Sequence, residues 1–225
     1  MRPPVDPERP YFPDPNDARP NGLLLVGGCL SPQWMLTAYS RGIFPMPIVE
    51  GRRETLAWFS PDPRGVIEYD ALYVSRSLAR TLRQGKFRIT TDQAFAEVVS
   101  ACSQPRQMED GVWISKQLQA GYQRLFALGH AHSLEVWQGD QLAGGIFGVT
   151  FGGLFAGESM FHSVTDASKV ALVSLLRHLQ KQGFELFDVQ WTNEHTRSLG
   201  ASEMSREEYL TRLATAVQKD VKFGG

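Results

Sequence analysis

The stretch Leu142–Phe161, Leu-Ala-Gly-Gly-Ile-Phe-Gly-Val-Thr-Phe-Gly-Gly-Leu-Phe-Ala-Gly-Glu-Ser-Met-Phe, constrains this chain more than any other. Two apolar, β-branched and aromatic runs flank Phe151-Gly152-Gly153, which is a hairpin-turn signal. Glu158 sits at the end of the second run, just before a helix, with no surface position and no partner visible in sequence. The surrounding glycines imply that something approaches the backbone closely. One reading is a hydrogen-bonded Glu in a glycine-rich core hairpin, and the other is a functional carboxylate. These residues alone leave both open.

A chain of 225 residues suits one large domain or two unequal ones. With 42% hydrophobic residues, 21% charged and a net charge of -1, it has an ordinary globular composition. That balance argues against indiscriminate coating of nucleic acid but leaves room for a local basic patch. The first ten residues lack the apolar core of a secretory signal, and no uncharged run approaches the ~20 residues of a membrane helix. Cys29 and Cys102 have neither disulfide-framework nor zinc spacing. The expectation is a cytoplasmic, metal-free protein.

Residues 1–20 are rich in Pro, Asp and Arg and too poor in apolar content to fold alone. A short strand is predicted between Gly22 and Gly28. Ser31-Pro32 opens a helix that Gly42 closes, and Gly42–Pro47 reads as an apolar loop stiffened by two prolines. Dense proline punctuation makes residues 1–64 a small irregular N-terminal domain, with residues 65–225 a more regular remainder. Strands are predicted at Val66–Tyr69, Phe87–Thr90, Ser133–Trp137 and Leu186–Gln190. Helices are predicted from Ser75 to Arg83, from Thr91 or Asp92 to Ser103, from Ser115 to Leu128, and from Asp166 to Gln182. A capping box at Ser205-x-x-Glu208 opens the last helix. An antiparallel sheet with helices packed on it, α+β, fits this order.

Asp188 and Gln190 alternate onto one face of a strand, where a carboxylate and an amide are costly unless they pair or serve a ligand. They read either as a brace for the sheet or as a catalytic pair facing Glu158. Between Asp70 and Asp92 there is no acidic residue, yet Arg76, Arg80, Arg83, Lys86 and Arg88 all fall there. The first three share a helix face, which suggests a phosphate-contacting stripe over a merely solvated one. His130 and His132 lack a third ligand and read as structural. No nucleophile elbow or phosphate-binding loop occurs, which argues against a hydrolase triad or an NTPase.

Several segments together resemble the leucyl/phenylalanyl-tRNA–protein transferase family. They are Asn21–Pro32, Arg41-Gly-Ile-Phe-Pro45, Trp58-Phe-Ser-Pro-Asp-Pro-Arg64, Val74–Leu78, Leu128–Ser133, Gly157-Glu-Ser-Met-Phe161, Ala167-Ser-Lys169, Asp188-Val-Gln190 and Ser198-Leu-Gly-Ala201. The resemblance implies an enzyme that moves Leu, Phe or Met from aminoacyl-tRNA to the N-terminal Arg or Lys of a protein, marking it for the bacterial N-degron pathway. It implies no cofactor, no membrane, and an acetyltransferase-like (GNAT) catalytic domain over residues 65–225. By matching position it implies an apolar pocket of Ile146, Phe155, Met160, Leu172, Leu175 and Phe187. Trp113 and Met46 would face the tRNA 3′-adenosine, and Arg76, Arg80, Arg83, Lys86 and Arg88 the acceptor stem. Three positions depart from the family: Met46 stands where Trp is usual, Cys29 where Asp is, and Asp166 where Asn is.

On this resemblance Asp188 orients Gln190, whose carbonyl oxygen holds the attacking amine, and Asp188 assists proton removal. Glu158 binds the acceptor's amine or basic side chain. Two alternatives remain at this point: an acyl-CoA-dependent acyltransferase on the same fold, and an inactive module that binds the tRNA end. The first would call for a glycine-rich pyrophosphate loop, and Phe161–Lys169 contains no glycine.

Overall fold

A computed structural model describes residues 5–51, 53–104 and 114–224. Trp113 lies outside them. The chain opens with β1 (Leu23–Val26), α1 (Pro32–Tyr39), β2 (Phe44–Glu50) and β3 (Arg53–Phe59). Ser31 caps α1, its hydroxyl accepting the Trp34 N–H at 3.3 Å, and Pro32 takes the first helical position. Gly42 follows the helix with φ +74, a left-handed conformation, and a Cβ there would come within 2.8 Å of the Leu210 side chain.

These strands form a three-stranded sheet in the order β1-β3-β2. The loop expected at Gly42–Pro47 is therefore mostly strand, and the N-terminal part is more regular than its prolines imply. Pro45 and Pro47 are tolerated because β2 is an edge strand, where alternate residues turn their nitrogens away from the partner.

Next come β4 (Arg64–Ile67), α2 (Arg76–Arg83), β5 (Arg88–Thr91), α3 (Phe95–Cys102), α4 (Lys116–Ala127), β6 (Ala131–Gln138), β7 (Gln141–Phe151) and β8 (Leu154–His162). The chain continues with α5 (Ala167–Gln182), β9 (Leu186–Gln190), α6 (Glu194–Arg197), β10 (Ala201–Met204) and α7 (Arg206–Ala216). A seven-stranded sheet runs in the order β10-β4-β9-β8-β7-β6-β5. Its neighbours are antiparallel except β8 and β9, which are parallel and joined through α5. The fold is α+β, a mixed sheet flanked by helices.

The hairpin turn falls at Gly152, φ +55. Asp92 does not start α3, as sequence suggests. It adopts φ +57 and accepts the Ser133 N–H at 2.8 Å, while Ala94 precedes the helix without a side-chain cap. Along α5, Val170, Leu172, Val173, Leu176 and Leu179 are all buried, as their spacing predicts. Strand alternation sends Ile146 to the α5 side of the sheet and Phe147 to the opposite side, against α3 and α4. That second core also holds Phe12, Trp34 and Trp58, so apolar packing runs unbroken across residue 64. Among the described residues no helix is long and apolar enough to cross a membrane.

Candidate active site

β8 and β9 pair only at Leu154↔Leu186, Phe155↔Phe187 and Ala156↔Asp188. Where that pairing ends, a cleft of about 840 Å³ opens, lined by Glu158 and Met160 on one side and by Val189 and Gln190 on the other. A volume of that size is at the upper end for a small-molecule site.

Both strands are bulged at the cleft. On β8, Ser159 pairs with Phe147 and Gly157 with Gly148, so Glu158 is the extra residue between them. The bulge inverts the alternation: Ala156 faces the α3/α4 core, whereas Met160 packs on the α5 side. On β9, Gln190 pairs with Gly65 and Asp188 with Val66, which leaves Val189 as the extra residue. Gln190 has φ +58, a conformation sparsely populated outside glycine. Its N–H donates to Asp188 Oδ1 at 2.8 Å, an Asx-type turn that curls the strand end.

Glu158 is half-buried and clamped by two phenols. The Tyr39 hydroxyl from α1 donates to Oε1 at 2.8 Å and the Tyr122 hydroxyl from α4 donates to Oε2 at 2.6 Å. Gln190 Nε2 approaches Oε1 at 3.4 Å, which leaves the amide oxygen as the end available to an incoming amine. Burial pushes the Glu158 carboxyl up to about 7, against the lowering effect of the Tyr122 and Tyr39 hydrogen bonds. Burial and the neighbouring Glu158 both raise the Tyr39 and Tyr122 phenols, so they act as neutral donors.

Asp188 is 1% exposed and lies behind the cleft wall. Arg64 Nε donates to Oδ1 at 2.8 Å and Nη2 to Oδ2 at 2.5 Å, while the Tyr209 hydroxyl donates to Oδ2 at 2.8 Å. Arg64 Nη1 donates to the Gly42 carbonyl at 2.8 Å, and its guanidinium lies between the Phe44 and Tyr209 rings at 5.0 and 4.4 Å. Burial opposes the Arg64 charge, but the adjacent Asp188 outweighs it and the net shift is upward.

The strand alternation places Asp188 and Gln190 on one face, and the structure does bring them into contact. Only Gln190, however, reaches the cleft. Ile146, Met160 and Phe187 line the cleft, whereas Phe155, Leu172 and Leu175 do not. Each of those three is 0% exposed in the core behind. Phe155 stacks on Phe187 at 5.6 Å and so backs the wall rather than forming it. Met46 packs among the apolar residues of the N-terminal sheet. Arg76, Arg80 and Arg83 on α2, with Lys86 and Arg88 near the β5 edge, are all exposed.

Arg64, Tyr39, Tyr122 and Tyr209 escape the sequence reading. A signal existed for Arg64: an arginine leading into the apolar Val66-Ile67 strand calls for a buried anion. Trp191 likewise escapes the sequence reading; it lines the cleft and sets its ring edge-on to Phe44 at 5.0 Å. His132 pairs with Asp92 at 2.8 Å and stacks on Phe223 at 4.3 Å.

Comparison with known proteins adds independent findings. Residues 66–214 match the family model of the leucyl/phenylalanyl-tRNA protein transferase, and residues 28–62 match that of its N-terminal domain. A curated relative of that name from Anaeromyxobacter sp. (strain Fw109-5) is 48% identical over 219 residues, covering 97% of this chain and 92% of the relative. One from Tolumonas auensis is 47% identical, covering 91% of this chain and 87% of its own length. Another from Aromatoleum aromaticum is 49% identical, with 92% and 86% covered. The structure of L-PGS from Bacillus licheniformis is similar over 71% of this chain and 66% of its own, at a TM-score of 0.45 and 8% identity.

Proposed function

The chain belongs to the leucyl/phenylalanyl-tRNA–protein transferase family, and from that premise we propose how its cleft moves an aminoacyl group. The activity is transfer of an aminoacyl group from tRNA to a protein. The acyl-CoA alternative gives way to it. The finer reading is transfer of Leu, Phe or Met to an N-terminal Arg or Lys, in the cytoplasm and in the service of N-degron degradation. The mixed sheet with one diverging parallel pair is compatible with a GNAT-like catalytic unit over residues 65–225, beside an N-terminal unit over residues 1–64.

The donor is an activated ester, so the enzyme has little covalent work to do. A free α-amine of pKa ≈ 7.7–8.0 is about a tenth neutral at pH 7, which accounts for only ~1 kcal/mol of barrier. Aligning amine and ester can supply ~7–11 kcal/mol, so positioning dominates. In this reading Ile146, Met160 and Phe187 seat the incoming side chain, with Phe155, Leu172 and Leu175 as their backing. The Gln190 amide oxygen holds the attacking amine, Asp188 holds Gln190, and Glu158 binds the acceptor's amine or basic side chain. Met46 and Trp113 face the terminal adenosine, and the arginines of α2 with Lys86 and Arg88 meet the acceptor stem.

The observation that carries this reading is the meeting of Glu158 and Gln190, at 3.4 Å, on the wall of one cleft that apolar residues also line. Purified protein incubated with leucyl-, phenylalanyl- or methionyl-tRNA and a peptide beginning with Arg or Lys should yield a peptide one residue longer. A peptide beginning with Ser should stay unmodified. Equal modification of all three peptides would remove the acceptor assignment.

A further inference from the structure

The two carboxylates of the site differ in what they can still do. Asp188 takes four donors, from Arg64 Nε, Arg64 Nη2, the Tyr209 hydroxyl and the Gln190 N–H. That fills the roughly four lone-pair directions a carboxylate offers. Arg64 cannot readily swing aside, because two aromatic rings and the Gly42 carbonyl hold it. Asp188 therefore has no acceptor position left for another group and no access to substrate.

Glu158 has both. Each of its oxygens accepts one phenol, and Gln190 approaches one of them weakly at 3.4 Å. The bulge places Glu158 in the cleft wall, beside Gln190. The groups acting on it are Tyr39 from α1, Tyr122 from α4, Gln190 on β9 and, behind these, Asp188 and Arg64.

Building on the transferase reading, we propose that Glu158 carries the proton of the transfer reaction, while Arg64 and Tyr209 keep Asp188 as a positioning residue for Gln190. The acceptor enters as its neutral amine, which attacks the ester carbonyl carbon. As the C–N bond forms, Glu158 takes the proton that the nitrogen must lose. As the C–O bond to the tRNA ribose breaks, Glu158 gives that proton to the departing oxygen. One amine and one ester become one amide and one alcohol, and the carboxylate is regenerated. The proton affinity that burial confers on Glu158, near 7, suits a group that must both take and return a proton near neutral pH.

The test is the single-turnover rate of transfer from leucyl-tRNA to a saturating Arg-initial peptide, followed with pH in the unsubstituted enzyme, Glu158→Gln and Asp188→Asn. The unsubstituted enzyme should show a rise near pH 7 and a second near 8 from the amine itself. Glu158→Gln should lose the first rise and run about 10²–10⁴-fold slower at saturating acceptor. Asp188→Asn should be slower but keep the first rise, at a lower midpoint because the Asp188 charge that helps raise the Glu158 carboxyl is gone. Should Glu158→Gln fail to fold, Tyr122→Phe removes a bond that favours the ionised carboxylate and should move the first rise to higher pH. If Glu158→Gln reaches the original rate at high acceptor, or Tyr122→Phe leaves the midpoint in place, Glu158 only binds; the proposal falls and the transferase reading stands. If Asp188→Asn is the variant that loses the rise, the proton belongs to Asp188. No transfer by the unsubstituted enzyme would instead remove the underlying reading.

Discussion

Glu158 is a carboxylate that folding places where ionisation is unfavourable. Its carboxyl is raised from 4.5 to about 7 in the folded chain, chiefly by burial. Below about pH 4.5 both folded and unfolded states hold the proton, and above about 7 neither does. Between those limits the folded state keeps a proton that the unfolded chain has released, so stability falls as pH rises across this window and then levels off. The loss is on the order of 3 kcal/mol. Glu158→Gln, which keeps the volume and one acceptor oxygen, should escape it. In urea melts, the stability of Glu158→Gln relative to the unsubstituted protein should climb from about pH 4.5 to 7 and then hold constant. A difference that does not vary with pH would mean that the carboxyl is not desolvated. Arg64 shows the opposite arrangement, a buried charge stabilised because its partner is fixed against it.

At the scale of elements, α2 and β5 form a cationic margin to the large sheet. Arg76, Arg80, Arg83, Lys86 and Arg88 are exposed, and none forms an ion pair among the described residues. Arg80 and Arg83 lie in the last turn of α2, where the helix dipole favours cations. If this margin docks an acceptor stem, each phosphate contact releases counterions. Replacing Arg76, Arg80 and Arg83 with Gln should then reduce the slope of log affinity for charged tRNA against log salt by up to about 2–3. Thermal stability should hardly change, since these side chains stand in water. Fluorescence titrations from low to moderate salt would show it, and an unaltered slope would place docking on another face. β8 and β9 are the complementary case, because their bulges put Glu158 and Gln190 at the point where strand pairing stops.

In the whole molecule the N-terminal sheet and the large sheet share one core and one site. Tyr39 and Gly42 contribute from the N-terminal part, Asp188 and Glu158 from the rest, and Arg64 joins them at the boundary. A fragment of residues 65–225 should therefore fail to melt cooperatively. It would expose the apolar residues that share a core with Trp34 and Trp58 and leave Asp188 buried without its cation, a defect of about 3–5 kcal/mol. Calorimetry and near-ultraviolet circular dichroism would show it, and a sharp melt with retained transfer would mean the units are independent. Local sequence determined much of this architecture. The periodicity of α5, the Ser-Pro start of α1 and the turn at Gly152 follow from short-range spacing and backbone preference, which neighbours far along the chain scarcely alter. The tertiary structure alone decided that two prolines sit in a strand, since only the position of β2 at an edge permits it. It alone decided that Asp188 is sealed by Arg64, 124 residues away in sequence, and that Glu158 is held by tyrosines from two helices. A bulge comes from the register between partners and a buried ion pair from where two strands come to lie, so neither leaves a periodic trace in the order of residues.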